Sequence, residues 1–299
     1  MGAYEFSTIL HQTNMKSNYS VIIPAHNEEH SVAGVLEAIS KLKRLEGADI
    51  IVVDDCSTDA TASVVKRYSV QLLQNVQNFG YGYSLKRGIA AAKNDSIVIL
   101  DADGSYPVSA IDMLIAEYEK GFDMVVGARH GKYYRGSWVK RVGRFFFKLL
   151  SEFATGRRIP DINSGCRVFR KHIAVRFFHT LSTGFSFTTT ITLAFMLNAY
   201  SVQYIPIEYH KRVGTSKVRY VRDILRSTQI ILEAIVFYNP TKIFLLFALG
   251  IVASGALGIV ISLFASIPGL IVFLALALAI LMLGTGFIVV FLKFSHDRA

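Results

Sequence analysis

From Tyr19 to Ala128 the chain alternates short β-branched runs with stretches whose apolar residues recur at helical spacing. Tyr19–Pro24 (YSVIIP) predicts a buried strand, and Asn27–Lys43, with Val32, Val35, Leu36, Ile39 and Leu42 on one face, predicts a helix. Ile50–Val53 is the next strand, Asp59–Tyr68 the next helix, and Val70–Gln74 a third strand. A glycine-punctuated loop, Asn78–Gly82, leads into a helix through Ala92, and Ser96–Leu100 is a strand that stops at Asp101. A helix over Val108–Lys120 and a strand over Asp123–Ala128 close the series. Elements alternating in this order predict an α/β domain with a parallel, doubly wound sheet, and such sheets bind ligands beyond the carboxyl ends of their strands.

Beyond Ala128 the pattern changes. Arg129–Lys148 holds seven Lys or Arg and no Asp or Glu, interleaved with Tyr133, Tyr134, Trp138 and Phe145–Phe147. From Ser137 this reads as a basic, aromatic amphipathic helix of the kind that lies in a membrane interface, with 137–156 and 217–238 as the expected interface helices. From Thr241 to Leu292 the one charged side chain is Lys242. Lys242–Ala265 and Leu270–Leu292 are each about 35 Å long as helices, enough to cross a bilayer's hydrocarbon core. The short link Ser266–Gly269 makes them a transmembrane hairpin. Basic residues flank both outer ends and the link has none, which places the catalytic domain and the tail on the cytoplasmic face. The expected organisation is a loose tail or short helix over 1–18, a catalytic domain over 19–240 and the hairpin over 241–299.

Charge and cysteine content narrow the partners. The formal net charge is +10; Lys242, Lys293 and Arg298 against Asp297 leave +2 after residue 240, so +8 lies before it. A basic balance attracts polyanions. The basic residues cluster beside the apolar region rather than on a recognisable nucleic-acid module, so the expectation is anionic lipid or phosphorylated substrate, not nucleic acid. The two cysteines, Cys56 and Cys166, lack metal-ligand spacing and read as reduced buried thiols.

The strand ends carry the chemistry. The first strand runs into Pro24-Ala25-His26-Asn27-Glu28-Glu29, the second into Asp54-Asp55-Cys56-Ser57, and the fourth into Asp101-Ala102-Asp103, so carboxylates converge on one rim. An Asp-X-Asp at a strand end supplies the hard oxygen ligands that Mg²⁺ or Mn²⁺ prefers. His26, His130 and His210 read as incidental.

The runs Val21–Glu29 (VIIPAHNEE), Val52–Asp59 (VVDDCSTD) and Leu100–Pro107 (LDADGSYP) are similar to family-2 glycosyltransferases of the GT-A fold. Asp161–Arg170 (DINSGCRVFR) and Pro206–Lys217 (PIEYHKRVGTSK) resemble the polyprenol-phosphate sugar transferases, the dolichyl-phosphate mannose synthase group, and the apolar hairpin resembles that of several prokaryotic members. The resemblance covers Tyr19 to Pro240 and implies a GT-A, Rossmann-like, mostly parallel sheet.

By that resemblance Asp101 and Asp103 hold Mg²⁺ or Mn²⁺, and Ser105 stands where the family often supplies a further ligand, commonly Gln. Pro24, Ala25, Glu28, Asp54, Asp55 and Ala102 cradle the nucleotide, and Asn78–Gly82 resembles the family's glycine-containing loop near it. Arg129, Arg141 and Arg167 are candidates for the acceptor phosphate, and Arg212 and Lys217 for bridging donor phosphates and acceptor; guanidinium groups grip phosphate oxygens in pairs. Asp161 is expected to orient these arginines or act as a weak base. Where family members often carry Glu or Gln, this chain reads Gly184-Phe185-Ser186-Phe187-Thr188-Thr189-Thr190, so no sugar preference carries over.

The expected activity is inverting transfer of a hexose from a UDP- or GDP-sugar to a polyprenyl (dolichyl or undecaprenyl) phosphate. A lipid monophosphate carries about −1.5 to −2 charge near neutrality and needs clamping more than deprotonation. Transfer to another membrane lipid's hydroxyl, or a silent partner that only binds nucleotide-sugar, are the alternatives. A processive polysaccharide synthase is disfavoured, because Trp138 lacks the Gln-x-x-Arg-Trp context.

Overall fold

The computed structural model describes residues 18–135, 138–212, 228–235, 238–264 and 269–296. The chain divides into two compact units: Met1–Arg135, Ser164–His179 and Ser201–Ser216 form one, and Gly136–Asn163, Thr180–Tyr200 and Lys217–Ala299 the other. The boundary drawn at residue 240 from the sequence does not coincide with this division, because the segments 136–163 and 180–200 group with the C-terminal helices.

The first unit holds a sheet of seven strands: β1 (Tyr19–Ala25), β2 (Asp49–Asp54), β3 (Gln71–Gln74), β4 (Ser96–Ile99), β5 (Met124–His130), β6 (Arg167–Arg170) and β7 (Val202–Glu208). Their order is β3-β2-β1-β4-β6-β5-β7. β1 pairs in parallel with β2 and β4, β2 with β3, and β5 with β7, while β6 runs antiparallel between β4 and β5. The sheet is mixed and mostly parallel, as expected, but it does not end at β5. β6 gave no strand signal because its four residues, RVFR, offer one short apolar pair between two arginines. β7 carries Pro206, which argues against a central strand and fits the edge position it takes.

Helices α1 (Val32–Ser40), α2 (Thr61–Val65), α3 (Tyr81–Ala91) and α4 (Ala110–Tyr118) connect β1 to β5, and α7 (Lys171–Arg176) follows β6; α5 (Lys132–Arg135) and α6 (Trp138–Thr155) follow β5. α1 turns Val32, Val35, Leu36 and Ile39 into the core, burial that contributes roughly 1.5–3 kcal/mol per side chain. The helix expected from Asn27 begins only at Val32, since Asn27 has φ of 52° and its N–H donates to Ser57 Oγ at 2.9 Å. The helix expected over Asp59–Tyr68 shortens to Thr61–Val65, with Asp59 Oδ1 accepting from Thr61 N at 2.9 Å. α3 lies so close to the sheet that a Cβ on Gly88 would overlap Ile22.

In the second unit α6 packs on α8 (Phe187–Leu197), whose residues from Phe187 to Met196 are buried. Phe147, Ser151 and Ala154 form the inner face of α6, while Phe145, Phe146 and Leu149 are exposed. α9 (Pro240–Phe264) and α10 (Gly269–His296) pack side by side. Gly250 meets Ile280, Gly255 meets Phe273 and Gly258 meets Gly269, a falling sequence of partners that makes the pair antiparallel. Among the described residues one helix is long and apolar enough to cross a membrane, over Leu245–Leu263 with mean hydropathy 2.4; Gly269–Met282 is a shorter apolar stretch. Lys242, the one charge of this region, donates from Nζ to Phe153 O (2.7 Å) and Ala154 O (3.1 Å) and so satisfies carbonyls at the end of α6.

Candidate active site

The carboxyl ends of β1, β2 and β4 form the rim on which the sequence concentrated its acidic residues. Pro24 and Ala25 end β1 beside Asp54, and the loop that follows is tied to the next one. Glu28 N donates to Thr61 Oγ1 at 2.8 Å and Glu29 N to Asp59 Oδ2 at 3.2 Å. His26, read as incidental, bridges two loops: Nδ1 lies 2.8 Å from Asp55 O and Nε2 3.2 Å from Asn78 Nδ2.

Asp54 and Asp55 are buried and occupied by the protein itself. Asp54 accepts from Ser57 N at 3.0 Å. Asp55 accepts from Asn75 Nδ2 (2.7 Å), Phe79 N (2.9 Å) and Gly80 N (2.8 Å), so it holds the glycine-containing loop and the start of α3. Cys56, next in the chain, has φ of 59°, a left-handed conformation that disfavours any side chain.

Asp101 and Asp103 are placed differently. Burial, and then the neighbouring Asp103, push the Asp101 carboxyl up to about 7, against the opposing pull of Tyr81, Arg129 and Arg212. Tyr81 OH donates to Asp101 Oδ1 at 2.8 Å; burial, followed by the charge on Asp101, keeps that phenol protonated. Gly165 lies against the same carboxylate, where an added Cβ would stand 2.6 Å from Oδ2 and 2.7 Å from Oδ1. Asp103 Oδ1 accepts from Ser105 N at 2.9 Å and Ser105 Oγ at 2.5 Å. Ser105 is fully buried, and its hydroxyl is committed to Asp103; it braces that carboxylate rather than offering its own oxygen to a cation.

Arg212 closes the rim. Its NH2 group donates to Glu28 Oε1 at 2.7 Å, and its Nε lies 3.2 Å from Asp103 Oδ2, out of line for a hydrogen bond. The segment before it is bolted down by His210 N to Ser105 O at 2.9 Å and Tyr209 N to His130 O at 3.0 Å. Arg129, on β5, has its guanidinium 5.1 Å from the centre of the Tyr134 ring and 5.4 Å from that of Tyr209, which stacks edge-on against Tyr106 at 5.3 Å.

Not every expected residue joins this group. Arg167 is fully buried, its guanidinium donating to Ser164 O, so its expected contact with an acceptor phosphate is corrected: a side chain with no accessible surface supports the turn before β6. Asp161 is buried in the second unit, where it accepts from Asn163 N at 3.2 Å, and Arg141 is exposed on α6 of that unit. Lys217 lies outside the described residues. The sequence reading missed Tyr81, Tyr106, Gly165, Tyr134 and Tyr209. Tyr81 and Gly165 sat inside quoted motifs, but only the fold shows that both meet Asp101.

Among the described residues no cluster of three or more His, Cys, Asp or Glu could hold a metal ion. Asp101 and Asp103 nevertheless fit a divalent cation whose other ligands come from phosphate or water, since a cation would offset both the burial and the neighbouring charge that raise Asp101.

A profile of glycosyl transferase family 2 matches residues 20–178, and the chain belongs to that family. It is therefore a glycosyltransferase. An undecaprenyl-phosphate 4-deoxy-4-formamido-L-arabinose transferase of Proteus mirabilis is 31% identical over 52% of this chain and 49% of its own length. A dolichyl-phosphate hexose transferase of Haloferax volcanii is 26% identical over 67% of this chain and 86% of that protein. The chain thus spans about half the length of the first relative and most of the second. Among solved structures, glucosyl-3-phosphoglycerate synthase from Mycobacterium tuberculosis with Mn²⁺, UDP-glucose and phosphoglyceric acid shares the fold, with TM-score 0.57, 18% identity and coverage of 73% of this chain and 78% of that one.

Proposed function

We propose that this protein transfers a hexose from a UDP- or GDP-sugar to a polyprenyl phosphate, inverting the anomeric centre. The observation that carries the reading is the crowded Asp101–Asp103 pair at the rim, with Arg129 and Arg212 within electrostatic reach of it. The polyprenyl-phosphate names of the Proteus and Haloferax relatives support the acceptor, and the UDP-glucose and Mn²⁺ of the mycobacterial neighbour support the donor and the cation.

In this reading an oxygen of the lipid phosphate attacks the anomeric carbon while the bond from that carbon to the nucleoside diphosphate breaks, and no proton need be removed first. Asp101 and Asp103 would hold Mg²⁺ or Mn²⁺, which would supply the positive charge that a departing diphosphate needs. Pro24, Ala25, Glu28, Asp54, Asp55 and Ala102 shape the nucleotide end of the rim. Arg212 exchanges Glu28 for phosphate oxygens, and Arg129 holds the acceptor phosphate. Catalysis is by positioning and charge neutralisation. α9 and α10 span the bilayer as a hairpin, α6 lies in the interface on its exposed Phe145, Phe146 and Leu149, and the sheet unit faces the cytoplasm.

The test is purified full-length protein with radiolabelled UDP- and GDP-hexoses and, separately, undecaprenyl phosphate, dolichyl phosphate, diacylglycerol and a sphingoid base. Label extractable into organic solvent only with a polyprenyl phosphate is the expected result. Label on a lipid without phosphate, or none with any donor, overturns it.

A further inference from the structure

Tyr81 opens α3, the helix that follows the loop held by Asp55, and its phenol reaches across to the next acidic strand end. There the hydroxyl donates to Asp101 Oδ1 at 2.8 Å. The backbone of Gly165 presses on the same carboxylate, and Gly165 is itself fixed by donation from its N–H to Tyr106 OH at 2.7 Å. The Asp101 carboxylate is therefore boxed, with one oxygen taken by a phenol.

We propose that Tyr81 is a positioning residue: its hydroxyl sets Asp101 as a one-oxygen ligand to a divalent cation and links that ligand, through Phe79, Gly80 and Asp55, to the nucleotide end of the rim. Groups that hydrogen-bond a ligating carboxylate fix its direction, and their loss typically weakens metal affinity by about 10- to 100-fold. The proposal rests on the cation reading above and goes beyond it by naming a residue that acts through Asp101. It also explains why the loop is anchored twice, at Asp55 by two backbone N–H groups and at Asp101 by a side chain.

Full-length wild type and Tyr81→Phe, each in nanodiscs, are titrated with Mn²⁺ in the presence of UDP and, separately, GDP, with free Mn²⁺ read by electron paramagnetic resonance. Tyr81→Phe should bind Mn²⁺ about 10- to 100-fold more weakly while melting near the wild-type temperature without metal, and excess Mn²⁺ should restore transfer. Gly165→Ala, whose added Cβ would stand 2.6 Å from Asp101 Oδ2 and 2.7 Å from Oδ1, displaces the same carboxylate and should weaken Mn²⁺ in the same direction. Equal Mn²⁺ affinity in wild type and Tyr81→Phe overturns the proposal and leaves the cation reading intact. Wild type that binds no Mn²⁺ with either nucleotide overturns both. If Tyr81→Phe loses its melting transition, the Gly165→Ala titration decides, and unchanged affinity there sinks the proposal.

Discussion

Two aspartate pairs flank β1, one after β2 and one after β4, and in the sequence they look alike: each ends a short apolar strand. In the structure they have opposite characters. Asp55 accepts three hydrogen bonds from Asn75, Phe79 and Gly80 and ties down a loop. Asp101 is crowded by Asp103 and pushed up to about 7 by burial and that neighbour. A carboxylate saturated with donors is structural cement, whereas one raised by burial and then by a like charge is ill at ease as an anion.

The sharpest way to break this contrast is Asp103→Ala. Transfer of labelled sugar should fall by about 10³-fold, the scale of losing one preorganised charge contact. Wild-type rates, or turnover that persists in a metal chelator, would remove the pair from the chemistry. Asp55→Ala should act through the fold: the buried Asn75 amide and two partly buried backbone N–H groups lose their acceptor, and stability should drop by about 3 kcal/mol, read from the shift in a detergent melt. An unchanged Tm would show that the loop does not depend on this carboxylate.

The smallest effect has the opposite sign. A carboxyl whose folded-state pKa is raised holds its proton more tightly folded than unfolded, so its contribution to stability is lost as pH climbs from about 4 toward 7. Asp101→Asn removes that loss. Without metal its Tm at pH 8 should exceed wild type by a few degrees, about 1–3 kcal/mol, and the gain should shrink as pH falls toward 4. No gain at pH 8 would mean that Tyr81, Arg129 and Arg212 already balance the charge.

Much of this was legible in the residues. The alternation from Tyr19 to Ala128 predicts β1 to β5 in order, and the acidic strand ends predict the rim, because short β-branched runs and a stop at Asp are local signals. β6 was not legible: four residues between arginines acquire strand geometry only by pairing with β4 and β5. The helix start at Val32 also escaped, since what shortens it is Ser57 and Thr61, some thirty positions away in the chain. Arg167 shows the limit for charge. An arginine in a basic motif suggests a phosphate clamp, and only its neighbours reveal that it is sealed inside. Tyr81 shows the limit for chemistry, as nothing in its local sequence says which carboxylate it meets.

The reversed direction of β6 has a consequence for how this chain can vary. β5 leaves the sheet at the rim and β6 enters it there, so the chain departs from and returns to the same end of the sheet between these two strands. The register of β6 against β5 is set by the pairing of Met124, Val125 and Val126 with Phe169, Val168 and Arg167, and the length of the connection between the two strands does not enter it.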